Sequence, residues 1–368
     1  LDAVVITANY RLGVWGSLQS PALETGDAAE DSGSFFLLDM VRVLDWARAN
    51  CPALGCDAGR ITISGQSAGA VAVLGLLRSP LAKGKFQQAI SFSGLPFSAS
   101  DETASERTRT LLTGLLSRDG HATDDRSLDA VLAGTSELNL RDYLQGQSAE
   151  ALLAASGRGL SPAYVADGTV LMALPDANPD KLAAQVVSKV PLLIGSTRDE
   201  MTTLVPIDSK AHSARRLWPL FNGEPRDQTI GEQLGWWGAI KRHVSVGLAG
   251  WFINRKLRST EHDYAEQLPS VHVYRFEWDH FPEPWRSDLG SFHALDIPFI
   301  FGNFIDDRAM YMRFAWTAEN RTEREALHRR ITKRLRAFVH TGDPNDSGDE
   351  LPQWQPWGRQ EPIEVWGS

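Results

Sequence analysis

Residues 60–77, RITISGQSAGAVAVLGLL, constrain the fold of this chain more than any other stretch. Residues 60–64 form a short β-branched run, the pattern of a strand buried in a sheet. Gly65-Gln66-Ser67-Ala68-Gly69 interrupts it, and residues 70–77 resume as apolar, helix-competent sequence. Strand, Gly-x-Ser-x-Gly, helix is the context of a nucleophile turn. The two glycines allow a sharp turn that holds Ser67 in strained geometry and lifts its Oγ clear of the backbone. The following helix N-terminus aims N–H groups at any anion forming there. The plainer alternative is a glycine-rich turn with an idle serine; the flanking strand and helix favour the nucleophile.

A serine hydroxyl needs a base to take its proton, and the base needs a third group to orient it. In sheets of this class the order is serine, then acid, then histidine, each on a loop after a strand. Asp199 and Glu200 follow the strand expected at residues 190–195, and Asp167 is a weaker candidate with no clear strand before it. Of the nine histidines, His293 lies beyond the strand expected at 271–277, between Gly290 and an apolar run, with His280 as the runner-up.

Along the chain, residues 4–8 (VVITA) read as a buried strand and 35–49 as an amphipathic helix, with a polar loop over 21–34 between them. Residues 88–92 are another short strand closed by Ser93-Gly94, and 321–339 a charged amphipathic helix. Strands alternating with helices argue for an α/β fold with a mostly parallel sheet covered on both faces. Residues 201–268 are helical and aromatic-rich, with Trp218, Phe221, Trp236, Trp237, Trp251 and Phe252. Their default reading is core; the alternative is a wall over an apolar pocket.

Length allows one large α/β domain or two ordinary ones, and 42% apolar with 23% charged residues is a globular balance. The net charge of −9 disfavours nucleic acid or an anionic membrane as the main partner. The longest uncharged apolar run, residues 68–77, is far below the ~20 residues of a membrane span. Cys51 and Cys56 lack neighbours for a metal site, so two buried free thiols are expected, a short-loop disulfide being the alternative. The chain opens on Leu1 inside an apolar run and reads as a fragment lacking its natural N-terminus, which leaves the compartment open.

The ordered motifs resemble those of the type B carboxylesterases, the cholinesterase-like branch of the α/β-hydrolases. Asn9-Tyr10-Arg11-Leu12-Gly13 matches NYRLG, Leu37-Leu38-Asp39 resembles LLDQ, and residues 46–57 resemble WVxxNIxxFGGDP. Gly65-Gln66-Ser67-Ala68-Gly69 resembles GESAG with Gln66 for Glu; Ser93-Gly94 resembles the QSG turn and Asp167-Gly168 the VDG. Residues 195–200 resemble GxxxDEG, 293–302 resemble HGxELPFVFG, and 341–345 with Trp354 resemble TGDPN…W. The resemblance spans nearly the whole chain, and implies a single α/β-hydrolase domain over residues 1–368 with a helical insertion at roughly 201–268.

The resemblance implies hydrolysis of a small-molecule ester with an apolar acyl or alcohol group, through an acyl-enzyme, with no metal or cofactor. Ser67 would be the nucleophile, His293 the base, Glu200 the orienting acid and Ala68 an oxyanion-hole donor, with Gly65, Gln66, Gly69 and Ser93 in support. The family's HGG oxyanion loop precedes NYRLG and is absent from this sequence, so these residues alone are expected to be nearly inactive. The competing readings are a catalytically dead cholinesterase-like adhesion module, against which all of Ser67, Glu200 and His293 count, and a lipase or amidase of the same fold.

Overall fold

The computed structural model describes residues 1–96, 101–122, 124–134, 138–156, 165–172, 185–205, 229–304, 312–345, 351–358 and 360–367. One parallel sheet runs through it in sequence order: β1 (Thr62–Gln66), β2 (Gln88–Phe92), β3 (Leu192–Thr197), β4 (Val271–Phe276) and β5 (Ile363–Trp366). The helices longer than ten residues are α1 (Phe35–Leu54), α2 (Ala68–Arg78), α3 (Asp101–Arg118), α4 (Ile230–Ala265) and α5 (Arg321–Thr341). Parallel strands require crossovers, and the helices between them supply the apolar cover each face needs.

The period of two along each strand divides the core. Leu192, Ile194, Val271 and Val273 pack with Phe36, Leu37 and Leu44 of α1 and Leu74 and Leu77 of α2 on one face. Leu193, Tyr274 and Phe276 pack with Phe299 and with Ile331, Leu335 and Phe338 of α5 on the other. Burying each such side chain contributes about 1.5–3 kcal/mol relative to exposure, which is what fixes the strand register against a one-residue slip. α1 stops at Gly55, whose left-handed backbone (φ 75°) lets its N–H cap the Cys51 carbonyl.

Several expectations need correction. Residues 4–8 pair with no strand among the described residues, and Val4, Val5 and Ile6 are exposed. A β-branched run becomes a strand only where a ladder partner lies 4.7–4.9 Å away. Here a cleft of about 820 Å³ lies between residues 1–10 and β1 instead, and among the described residues the outer edge of β1 is unpaired. Cys51 and Cys56 are not free thiols: they form a disulfide across the end of α1, with Cα atoms 4.7 Å apart. The aromatics at 236, 237, 251 and 252 are not core, being 61–67% exposed on α4, whereas Trp218 and Phe221 lie outside the described residues. β5 has no counterpart in the sequence reading, because four residues are too short for a periodic signal.

Candidate active site

The C-terminal ends of β1, β3 and β4 open toward one another, and each leads into a loop carrying one of the expected residues. β1 ends at Gln66, and Ser67 turns the chain into α2 with φ 55° and ψ −119°, a backbone that costs a non-glycine residue about 1–3 kcal/mol. The turn is anchored by the Ser67 N–H donating to the Phe92 carbonyl (2.9 Å) and by Val71 N–H closing the first helical bond onto Ser67 O (2.9 Å). The N–H groups of Ala68, Gly69 and Ala70 precede that first bond, so they have no acceptor within the helix. The two glycines differ in what they do. A Cβ on Gly65 would sit inside the carbonyl of Gly69, while one on Gly69 would meet nothing within 4 Å. Gly65 is therefore what allows strand and helix to touch.

Glu200 follows β3 and is only 5% exposed. Its Oε1 accepts from Ser93 Oγ (2.6 Å) and from the Thr197 N–H (2.8 Å), and its Oε2 is paired with His293 Nδ1. Ser93 reaches it from the end of β2, in a left-handed backbone (φ 57°). Burial alone would push the Glu200 pKa up. The His293 hydrogen bond and charge, Ser93 and the Thr197 N–H outweigh it and hold the carboxyl below its ordinary range. For His293 burial pulls the imidazole pKa down, and the hydrogen bond and charge of Glu200, with the charge of Asp296, raise it above the ordinary value.

With Nδ1 turned to Glu200, His293 presents Nε2 to the elbow. There it lies 3.2 Å from the Gln66 amide Nε2. A carboxylate can only accept, so Nδ1 carries the proton toward Glu200, and in the neutral imidazole Nε2 is the acceptor. Among the described residues no hydrogen bond joins Ser67 Oγ to His293, whose Nε2 faces Gln66, the residue before the serine.

Asp199 lies on the other side of the same loop and does different work. Its Oδ2 accepts from Arg198 Nε and from the Ser291 N–H, both at 2.9 Å, tying the loop of Glu200 to the one that delivers His293. Asp167 is far from this: its Oδ1 accepts the N–H groups of Thr169, Val170 and Leu171 within its own turn. His280 pairs with Glu323 at the start of α5 (2.6 Å) and does not face Glu200. The arrangement also contains a residue that the sequence reading did not select. Asp296 is fully buried, accepts from Tyr274 Oη (2.8 Å), and has its Oδ1 unpartnered. Burial first, and the nearby Glu200 charge, push its carboxyl up to about 6 despite the Tyr274 hydrogen bond and the His293 charge. Its signal was position, three residues after His293 in an otherwise apolar run.

Chemically, this is a hydroxyl on a strained elbow, free helix-terminal N–H groups beside it, and a carboxylate-oriented imidazole facing the same turn. Among the described residues no helix is long and apolar enough to cross a membrane. Comparison with known proteins gives the same class. The sequence pattern of the Carboxylesterase family matches residues 1–230. Para-nitrobenzyl esterase of Bacillus subtilis is 29% identical over 356 residues, covering 96% of this chain and 67% of the relative. Human cocaine esterase is 28% identical, over 98% of this chain and 62% of its own length. The chain thus spans about two thirds of the length of these relatives. Among solved structures, a PNB esterase superposes with a TM-score of 0.67 at 26% identity, over 98% of this chain and 70% of that one. A Geobacillus stearothermophilus carboxylesterase gives 0.65 at 28% identity, over 98% and 70%. With a parallel sheet whose loops carry a serine elbow, an acid and a histidine in that order, the chain belongs to the carboxylesterase family and has the α/β-hydrolase fold.

Proposed function

We propose that this protein hydrolyses carboxylic esters through an acyl-enzyme on Ser67, with His293 as the base and Glu200 as its orienting acid. The observation that supports this most is the placement of His293: Nδ1 on a buried Glu200, and Nε2 turned toward the serine elbow, 3.2 Å from the Gln66 amide. In the first half-reaction Ser67 Oγ attacks the ester carbonyl carbon while its proton passes to His293 Nε2. The carbonyl oxygen becomes an oxyanion, and Ala68 N–H at the start of α2 is a donor toward it. Collapse of the intermediate expels the alcohol, which takes its proton from His293. Water then repeats the sequence on the acyl-serine, with His293 removing its proton and returning it to Ser67 as the acid leaves. Glu200 keeps its charge throughout and stabilises the imidazolium. For this to run, the Gln66 amide must yield Nε2 to Ser67 when substrate arrives.

The substrate reading is a small ester with an apolar acyl or alcohol group. The test is active-site labelling of the purified chain by a fluorophosphonate, read by peptide mass spectrometry. A phosphonyl group on Ser67 that Ser67→Ala abolishes is expected, together with a release of p-nitrophenol from p-nitrophenyl butyrate that is slow, as the oxyanion donors within this chain imply, and that Ser67→Ala also abolishes. Labelling elsewhere, or turnover that survives Ser67→Ala, refutes the assignment.

A further inference from the structure

The outer face of α4 is apolar, against the usual rule for a surface helix. Past the break at Gly235 (φ 68°, ψ 169°), Trp236, Trp237, Ile240, Val244, Leu248, Trp251 and Phe252 are all between 46% and 67% exposed. At 100° per residue these positions fall within about 160° of one another, so they form one stripe. Leu257, Thr260, Glu261 and Tyr264, all buried, project from the opposite side and anchor the helix to the body of the protein. The stripe is therefore not an inner face waiting to be packed; it is the side turned away from the core.

Charge sorts the candidate occupants. Residues 233–260 contain Lys241, Arg242, Arg255, Lys256 and Arg258 and no aspartate or glutamate, in a chain of net charge −9. Lys241, Arg255 and Arg258 are exposed and border the apolar stripe; the Arg255 guanidinium lies 5.7 Å from the Trp251 ring centre, and Arg258 is 4.0 Å from Glu361. A second copy of the same face would set these cations against one another, which works against a symmetric dimer. Tryptophan and phenylalanine bordered by Lys and Arg, without acids, is the composition of a helix that lies in a lipid–water interface.

We propose that the outer face of α4 docks on an anionic lipid surface, with the aromatic stripe in the headgroup boundary and Lys241 and Arg255 on the lipid phosphates. The attraction is local: within a Debye length of about 8–10 Å the patch acts before the net negative charge of the chain does. The same helix reaches the site, since Arg242 Nη2 donates to the Thr202 carbonyl (2.9 Å) just after Glu200. The proposal stands on the helix alone and does not depend on ester hydrolysis.

The experiment is co-sedimentation of the full chain with phosphatidylcholine vesicles, with and without phosphatidylserine, beside analytical ultracentrifugation of the protein alone. Binding only to the phosphatidylserine vesicles, lost on adding salt, is expected. Lys241→Gln with Arg255→Gln should weaken it about 30-fold, and Trp251→Ser with Phe252→Ser should abolish it. Because these side chains point outward, the variants should keep the far-ultraviolet spectrum of the wild type. Equal binding to both vesicle types, no binding to either, or self-association that the Trp251 and Phe252 substitutions dissolve would each overturn the proposal, the last in favour of an interface between copies.

Discussion

The Gln66 amide lies 3.2 Å from Nε2 of His293, at the lone pair that general-base catalysis would use. An amide there adds no charge to the site that takes up the proton. A glutamate would favour the imidazolium and so raise the His293 pKa further. Catalysis needs the neutral imidazole, so Gln66→Glu should move the acid limb of the kcat/KM profile to higher pH, on the order of one pH unit, with the plateau little changed. Superimposable pH–rate curves for p-nitrophenyl butyrate would show that this contact has no part in the chemistry.

Glu200 and Asp199 are adjacent carboxylates with different partners, and substitution separates them. Glu200→Gln keeps the shape but can donate toward Nδ1, favouring the wrong tautomer, and should lower kcat by about 10³- to 10⁴-fold. Asp199→Asn leaves His293 its partner and weakens the Arg198 and Ser291 ties, so it should cost about 1–2 kcal/mol of stability with a small loss of kcat. Turnover numbers and urea midpoints of the two variants check both; the reverse ranking would move the acid to Asp199.

Asp296 sets part of the stability profile. Its carboxyl sits at about 6 in the fold against 3.8 for the free group, so the folded state holds a proton that the unfolded chain has released. That stabilising contribution is complete below the lower value and is lost as pH rises through about 6, a change on the order of 3 kcal/mol. Glu200 has the opposite sign: its lowered pKa favours the fold above the ordinary carboxylate range and the advantage is lost in acid. Asp296→Asn should therefore gain on the wild type as pH rises from 4 to 6. Urea unfolding across that interval tests it, and a constant gap between the two proteins would contradict the assignment.

The elbow glycines give a paired test of sterics. Gly65→Ala drives a methyl into the Gly69 carbonyl and should cost about 1–3 kcal/mol while displacing Ser67. Gly69→Ala enters open space in a helix and should be neutral or stabilising by up to about 1 kcal/mol. Thermal unfolding and fluorophosphonate labelling rates report the two effects separately.

What could be read from sequence follows from what each signal depends on. Ser67 and the loops with Asp199, Glu200 and His293 stood out because glycines and β-branched runs mark where strands stop, and a loop after a parallel strand is where chemistry is placed. The choice of Glu200 and His293 within them came from the resemblance to the type B carboxylesterases. Residues 4–8 misled because strand character in sequence says nothing about whether a partner lies alongside. The aromatics of α4 misled for a related reason: a helical period identifies a face, and burial was assumed from hydrophobicity when the inner face is the one with Thr260, Glu261 and Tyr264. The disulfide stayed open because two cysteines five residues apart suit either redox state until the end of α1 brings their Cα atoms together. Asp296 was hidden because its perturbation comes first from burial in the packed fold and then from the charge of Glu200, 96 positions away in sequence.

Glu200 and His293 hang from β3 and β4, each held by a ladder on both sides, whereas the serine hangs from β1, which among the described residues is laddered to β2 alone. Amide protons of residues 62–66 should then exchange through small openings that leave β3 and β4 closed. Each such opening unseats Ser67 without melting the protein. Heat should accordingly silence the nucleophile some degrees before the heat-capacity peak, and recovery on cooling should be fast, because only one ladder has to re-form.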